Sequence, residues 1–229
     1  MHTARAQWMS TRTACINALR ALLHEYGLCA PAGAAALLKK LPEILELHDA
    51  LLPSRVRLVL RGYAEEIAQL EQRIDALEAE LEQVAQQTPV IGSLRQIPGV
   101  GLLIATALYA AVGTVHTFKS GRHLASWMGL TPREHSSGGR RRLGRISKQG
   151  DIYLRTLLIH GARSALLAAE RKKKTGRMLS HLEQWGLELS GHKPHNQAAV
   201  ALANKMARVL WAVWHHDRTF ENQPMQRAA

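Results

Sequence analysis

Apolar residues recur at three- and four-residue spacings along most of this chain, and a heptad series runs unbroken from Leu60 to Val84. No stretch alternates apolar with polar residues as a half-buried strand does. These observations predict an all-α protein: short linking helices over 1–53, a long coiled-coil arm over 54–88, a helical domain over 89–220 containing a helix-hairpin-helix, and a frayed tail over 221–229.

Ala4 to Tyr26 reads as the first helix, with Ala14, Leu19, Leu22 and Leu23 on one face and Gly27 as its stop. Pro31 and Gly33 mark a turn, after which a short helix near Ala34 to Leu41 is expected to break at Pro42 and the next at Pro53. Leu60, Tyr63, Ile67, Leu70, Ile74, Leu77, Leu81 and Val84 then occupy the a and d positions of a seam. Glu65, Glu66, Glu71, Glu78, Glu80 and Glu82 flank it, so the arm must turn away from a polyanion or pack on a basic face. Its partner is either a second copy of the chain or, within one chain, the helix before Pro53.

Pro89 ends the arm, and Ser93 to Val112 has the form of a helix-hairpin-helix whose turn is Ile97-Pro98-Gly99-Val100-Gly101. Gly99, Val100 and Gly101 would offer amides at a helix start to a phosphate, or the glycines would let helices pack closely. Asp151 is expected to cap a helix from Ile152 to Arg171 that buries Leu154, Leu157, Leu158, Gly161, Ala162 and Ala165. Asn196 to His215 forms the last helix, covering the core with Val200, Leu202, Val209, Leu210 and Trp211.

A chain of 229 residues, 46% of them hydrophobic, can bury a core of its own. Its net charge of +12 calls for a polyanionic partner, duplex DNA before all others. A membrane is not that partner, because the longest apolar run, Val100 to Val112, is about 13 residues against the roughly 20 needed to span. Without a signal peptide pattern, the expected location is cytoplasmic, with the nucleoid. Cys15 and Cys29 make no disulfide framework, and neither His192 with His195 nor His215 with His216 has ligand partners at zinc spacing. Asp49, Asp75, Asp151 and Asp217 are scattered, so no metal site and no cofactor are expected in this chain.

Chemistry concentrates between His135 and Arg155. Ser136 or Ser137 supplies an oxygen able to attack phosphorus, Gly138 and Gly139 permit close backbone approach, and Arg140, Arg141, Arg142, Arg145 and Lys148 suit phosphoryl oxygens. His135 is a candidate for moving the serine proton, and Arg155 a further phosphate contact. The same composition also describes a solvated turn.

From Leu94 to Arg163 the sequence resembles the C-terminal domain of the IS110 family of insertion-sequence transposases, the bridge-RNA-guided group related to Piv-type DNA invertases. The resemblance is carried by Ile97-Pro98-Gly99-Val100-Gly101, Gly129-Leu130-Thr131-Pro132, Ser136-Ser137-Gly138-Gly139, Gly144-Arg145-Ile146-Ser147-Lys148-Gln149-Gly150-Asp151, Tyr153-Leu154-Arg155 and His160-Gly161-Ala162-Arg163. It continues through Leu19-Arg20 and Glu25-Tyr26-Gly27 upstream and Asn204-Lys205 and Leu210-Trp211 downstream. It implies DNA transposition through a serine that becomes covalently joined to DNA, an oligomer assembled by the coiled coil, transposon-end and target duplexes, and a guide RNA. Relatives of this kind begin with a RuvC-like nuclease domain whose Asp, Glu, Asp and Asp hold Mg²⁺. The present chain is expected to lack that domain, so that 1–53 would be the helices that follow it. Ser136 is favoured over Ser137 by its spacing to Ser147-Lys148, although Ser137 is the serine directly before glycine. The alternative is a non-catalytic DNA- or RNA-binding dimerisation module that regulates a full-length transposase.

Overall fold

A computed structural model describes residues 1–47, 51–140 and 142–221. Asp49, Arg141 and the expected tail beyond Glu221 therefore lie outside the described residues. The chain divides into two compact units, with the boundary inside one helix between Glu80 and Leu81.

The first unit holds α1 (His2–Glu25), α2 (Ala34–Leu47) and most of α3 (Ser54–Gln87). Gly27, at φ +71°, closes α1 by letting its own N–H reach the His24 carbonyl and the Leu28 N–H reach Leu23, while Leu28 folds back into the core. Pro42 does not break α2 as expected: the helix runs through it. A proline in a helix interior costs about 3 kcal/mol, but Leu37, Leu41 and Leu45 form one buried stripe across it, each contributing roughly 1.5–3 kcal/mol. Ending the helix at Pro42 would withdraw Leu45.

The heptad seam is buried inside one chain. Leu60 and Ile67 close a cluster with Ile16, Leu19 and Leu23 of α1 and with the α2 leucines, and Leu70 and Ile74 are buried further along. Arg12 pairs with Glu71 (Nε–Oε1 2.9 Å) and Arg5 with Glu78 (2.7 Å), so α1 runs antiparallel to α3 and supplies the basic face that the acidic flanks require. Within the chain the seam packs on α1 as well as on α2, the helix before Pro53, and Val84 is 37% exposed at its far end. Leu70→Glu is accordingly expected to unfold the first unit, a loss of several kcal/mol for a charge placed in a closed core. Denaturant melts and light scattering check this; a folded monomer would show that the seam serves association instead.

The second unit is built on α9 (His195–His215), against which α4 (Pro89–Arg95), α6 (Gly121–Trp127), α7 (Ile152–Lys174) and α8 (His181–His192) pack. α5 (Leu102–Val112) lies on α4 and α7. The interface of α9 is lined by Ala198, Ala199, Leu202, Ala203, Met206, Ala207 and Leu210, small residues alternating with large ones so that backbones approach closely. Asp151 caps α7 as expected, its carboxylate accepting the Leu154 N–H at 2.9 Å. α8 was not foreseen. Ser180 and Glu183 close its start in a capping box. Burial opposes the charge on Glu183, but Lys172 Nζ at 2.6 Å and the Ser180 bonds outweigh it and hold the carboxyl below the usual range.

The all-α expectation needs one correction. Strands β1 (Pro132–Glu134) and β2 (Leu143–Ile146) pair antiparallel, Pro132 facing Ile146 and Glu134 facing Leu143, and form a small hairpin on an otherwise helical body. Neither face of it is buried apart from partial cover at Ile146, so it carries no apolar alternation for a periodicity reading to find.

Candidate active site

The hairpin carries the serine, glycine and arginine residues singled out in the sequence. Its tip is Ser137-Gly138-Gly139-Arg140, where the Arg140 N–H bonds the Ser137 carbonyl at 3.1 Å. Gly138 and Gly139 stand at φ +58° and +76°, the two consecutive positive values of a hairpin turn whose twist matches the strands. Below the tip the His135 N–H bonds the Arg142 carbonyl at 2.9 Å.

Around Ser136 the bonds are specific. Its Oγ accepts the Arg142 backbone N–H at 3.1 Å and donates to Glu134 Oε1 at 2.6 Å. Ser136 lies two residues beyond the end of β1, and the hydrogen bond itself places the Glu134 carboxylate beside it. His135 is therefore not the group that meets the serine proton in this arrangement, and Glu134, which sequence reasoning passed over, is. Ser137 contributes its carbonyl to the turn. Arg140, Arg142, Arg145 and Lys148 are all exposed, as are Gly138 and Gly139. Cations and hydroxyls thus share one solvent-facing projection.

Its base is anchored. Ser147 N–H bonds the Thr131 carbonyl at 2.8 Å, Lys148 N–H the Gly129 carbonyl at 3.1 Å, and Arg133 Nη2 the Ser147 carbonyl at 3.2 Å. Lys148 takes φ +56°, a left-handed conformation uncommon outside glycine. Gly129 and Gly150, at φ +69° and +102°, allow the chain at Gln149–Gly150 to lie directly on the end of α6, where a Cβ on either glycine would run into backbone atoms of Gln149 or Trp127. Arg155 is 8% exposed and donates from Nη1 to the Met128 carbonyl at 3.1 Å. The expectation that Arg155 meets phosphate is corrected by this burial: its guanidinium satisfies the end of α6.

The α4–α5 turn takes a different form from the expected amide cradle. Val100 is buried and its N–H is bonded to the Ile97 carbonyl at 2.9 Å. Gly99, at φ +83°, lies against Gly161 of α7 so closely that a Cβ on either would meet the other's carbonyl oxygen. Close packing is thus the observed use of Gly99, and Gly101 alone remains exposed, at the start of α5. Beside the turn is a cleft of about 440 Å³ whose rim includes Arg95 and Lys172, paired with Glu82 and Glu183 respectively. Among the described residues no three His, Cys, Asp or Glu side chains converge to hold a metal ion. Among the same residues no helix is long and apolar enough to cross a membrane.

Residues 92–176 match the family described as Transposase IS116/IS110/IS902 family. Over 214 residues the chain is 41% identical to a probable family 20 transposase of Pseudomonas aeruginosa, a match covering 93% of this chain and 62% of that protein. It is 39% identical over 218 residues to the transposase for insertion sequence element IS1111A of Coxiella burnetii, covering 94% and 58%. A pilin gene-inverting protein of Moraxella bovis is 28% identical over 169 residues, covering 72% and 48%. The chain spans about three-fifths of the length of the first two relatives.

Proposed function

The chain belongs to the IS116/IS110/IS902 transposase family through residues 92–176, and from that premise we propose that it takes part in DNA recombination, gripping duplex DNA with the 132–148 hairpin and attacking a phosphodiester with Ser136. One observation carries the reading: a hydroxyl held by two hydrogen bonds stands on an anchored, solvent-facing hairpin among Arg140, Arg142, Arg145 and Lys148. Guanidinium groups match phosphate oxygens bidentately and stabilise the charge that grows on them during attack. Ser136 is preferred to Ser137 because its Oγ is oriented by the Arg142 amide. The relatives' names, transposase and pilin gene-inverting protein, support DNA rearrangement as the outcome. A guide RNA and a second copy of the chain are further partners proposed from the resemblance alone.

Binding to duplex DNA is expected to weaken about tenfold or more between 50 and 200 mM salt, because each phosphate neutralised releases a counterion. Fluorescence anisotropy with labelled duplexes of unrelated sequence measures this. Arg140→Ala and Arg142→Ala should each flatten the salt slope by roughly one unit. Affinity that does not change over that range sinks the reading.

A further inference from the structure

Resting on the assignment of Ser136 as nucleophile, we propose that Glu134 is the catalytic base that takes its proton. A serine hydroxyl is a weak nucleophile until an adjacent base activates it. The 2.6 Å separation from Ser136 Oγ to Glu134 Oε1 is that of a short, charge-assisted O–H···O⁻ bond. The hydroxyl has one hydrogen and two lone pairs. Its hydrogen is directed at the carboxylate, one lone pair receives the Arg142 N–H, and the other is left to meet phosphorus. The arrangement comes from local structure: Ser136 follows β1 by two residues, and the Gly138-Gly139 turn brings the Arg142 amide back over it.

The step balances within these groups. Ser136 Oγ forms the bond to phosphorus as its proton passes to Glu134, and the bond from phosphorus to one deoxyribose oxygen breaks. That oxygen leaves carrying the proton that Glu134 gives up, directly or through water. A phosphoserine ester and a free deoxyribose hydroxyl result, and Glu134 returns to its carboxylate form.

The intact chain can be tested with diisopropyl fluorophosphate, whose fluoride leaves without an acid, so that labelling reports only how readily the serine is activated. Mass spectrometry of peptides should place the label on Ser136. Glu134→Gln should slow labelling at least tenfold and remove its fall at acid pH, whereas Glu134→Asp, which keeps a carboxylate, should retain that fall at a lower rate. A merely structural bond would leave no pH signature to lose. Equal labelling of the wild type and Glu134→Gln, or no labelling of the wild type, overturns the base assignment. The covalent DNA adduct, formed on transposon-end duplex with and without a full-length relative, separates the two ideas. An adduct mapped to Ser136 alongside unchanged labelling in Glu134→Gln discards the base and keeps the nucleophile; an adduct that survives Ser136→Ala discards the nucleophile itself.

Discussion

Ser136→Ala is expected to abolish the covalent protein–DNA adduct, a fall on the order of 10⁴-fold or more, while Ser137→Ala leaves most of it. Neither change should alter DNA affinity appreciably, because neither removes a charge. The asymmetry follows from the hairpin. Ser136 Oγ is bonded to Glu134 and to the Arg142 amide, whereas Ser137 sits in the turn and serves it with its main-chain carbonyl. Adducts resolved on denaturing gels, from the chain alone and in the presence of a full-length relative, give the readout. Loss of the adduct in Ser137→Ala with retention in Ser136→Ala would reverse the assignment and leave the Ser136 bonds as a hairpin brace.

Gly150→Ala should be the most damaging single-methyl change near the site. At φ +102° the backbone lies outside the region an L side chain readily adopts, and the new Cβ would be driven into the Trp127 carbonyl oxygen. Strain of this kind costs about 1–3 kcal/mol, and relieving the clash requires lifting the hairpin base from α6. With roughly 2–4 °C lost per kcal/mol in a chain of this size, the strain alone should lower the melting of the second unit by about 2–12 °C, with loss of adduct formation. Gly138→Ala provides the contrast. Its φ is +58° and nothing lies within reach of an added Cβ, so only the left-handed penalty of roughly 1–2 kcal/mol applies. Thermal melts of the two variants compare them directly; equal losses would mean that the hairpin is not held by the Gly150 contact.

Much of the helical body could be read from local signals. The Gly27 stop, the Asp151 cap, the end of the long helix ahead of Pro89 and the buried faces of α7 and α9 all follow from interactions within a few residues, and the expected bounds lie within a few residues of those observed. The cluster of serine, glycine and arginine was equally legible, because charge and residue chemistry do not depend on what surrounds them. Pro42 was misread because the burial of Leu45, a tertiary effect, outweighs a local penalty. The hairpin escaped notice because exposed strands of three and four residues leave no apolar period.

Composition, charge and residue order by themselves determined that this protein is mostly helical, basic, and equipped with a hydroxyl and cations suited to phosphate. Which groups share a face was decided only by the tertiary structure. It put Glu134 rather than His135 on Ser136, turned Arg155 inward to the Met128 carbonyl, brought Gly99 against Gly161, and closed the Leu60–Ile74 seam against helices of the same chain. The physical reason is common to all four. A side chain's chemistry belongs to the residue, but its partner is set by the hairpin turn, backbone approach and burial, which depend on segments distant in the sequence or on a hairpin that local periodicity did not announce.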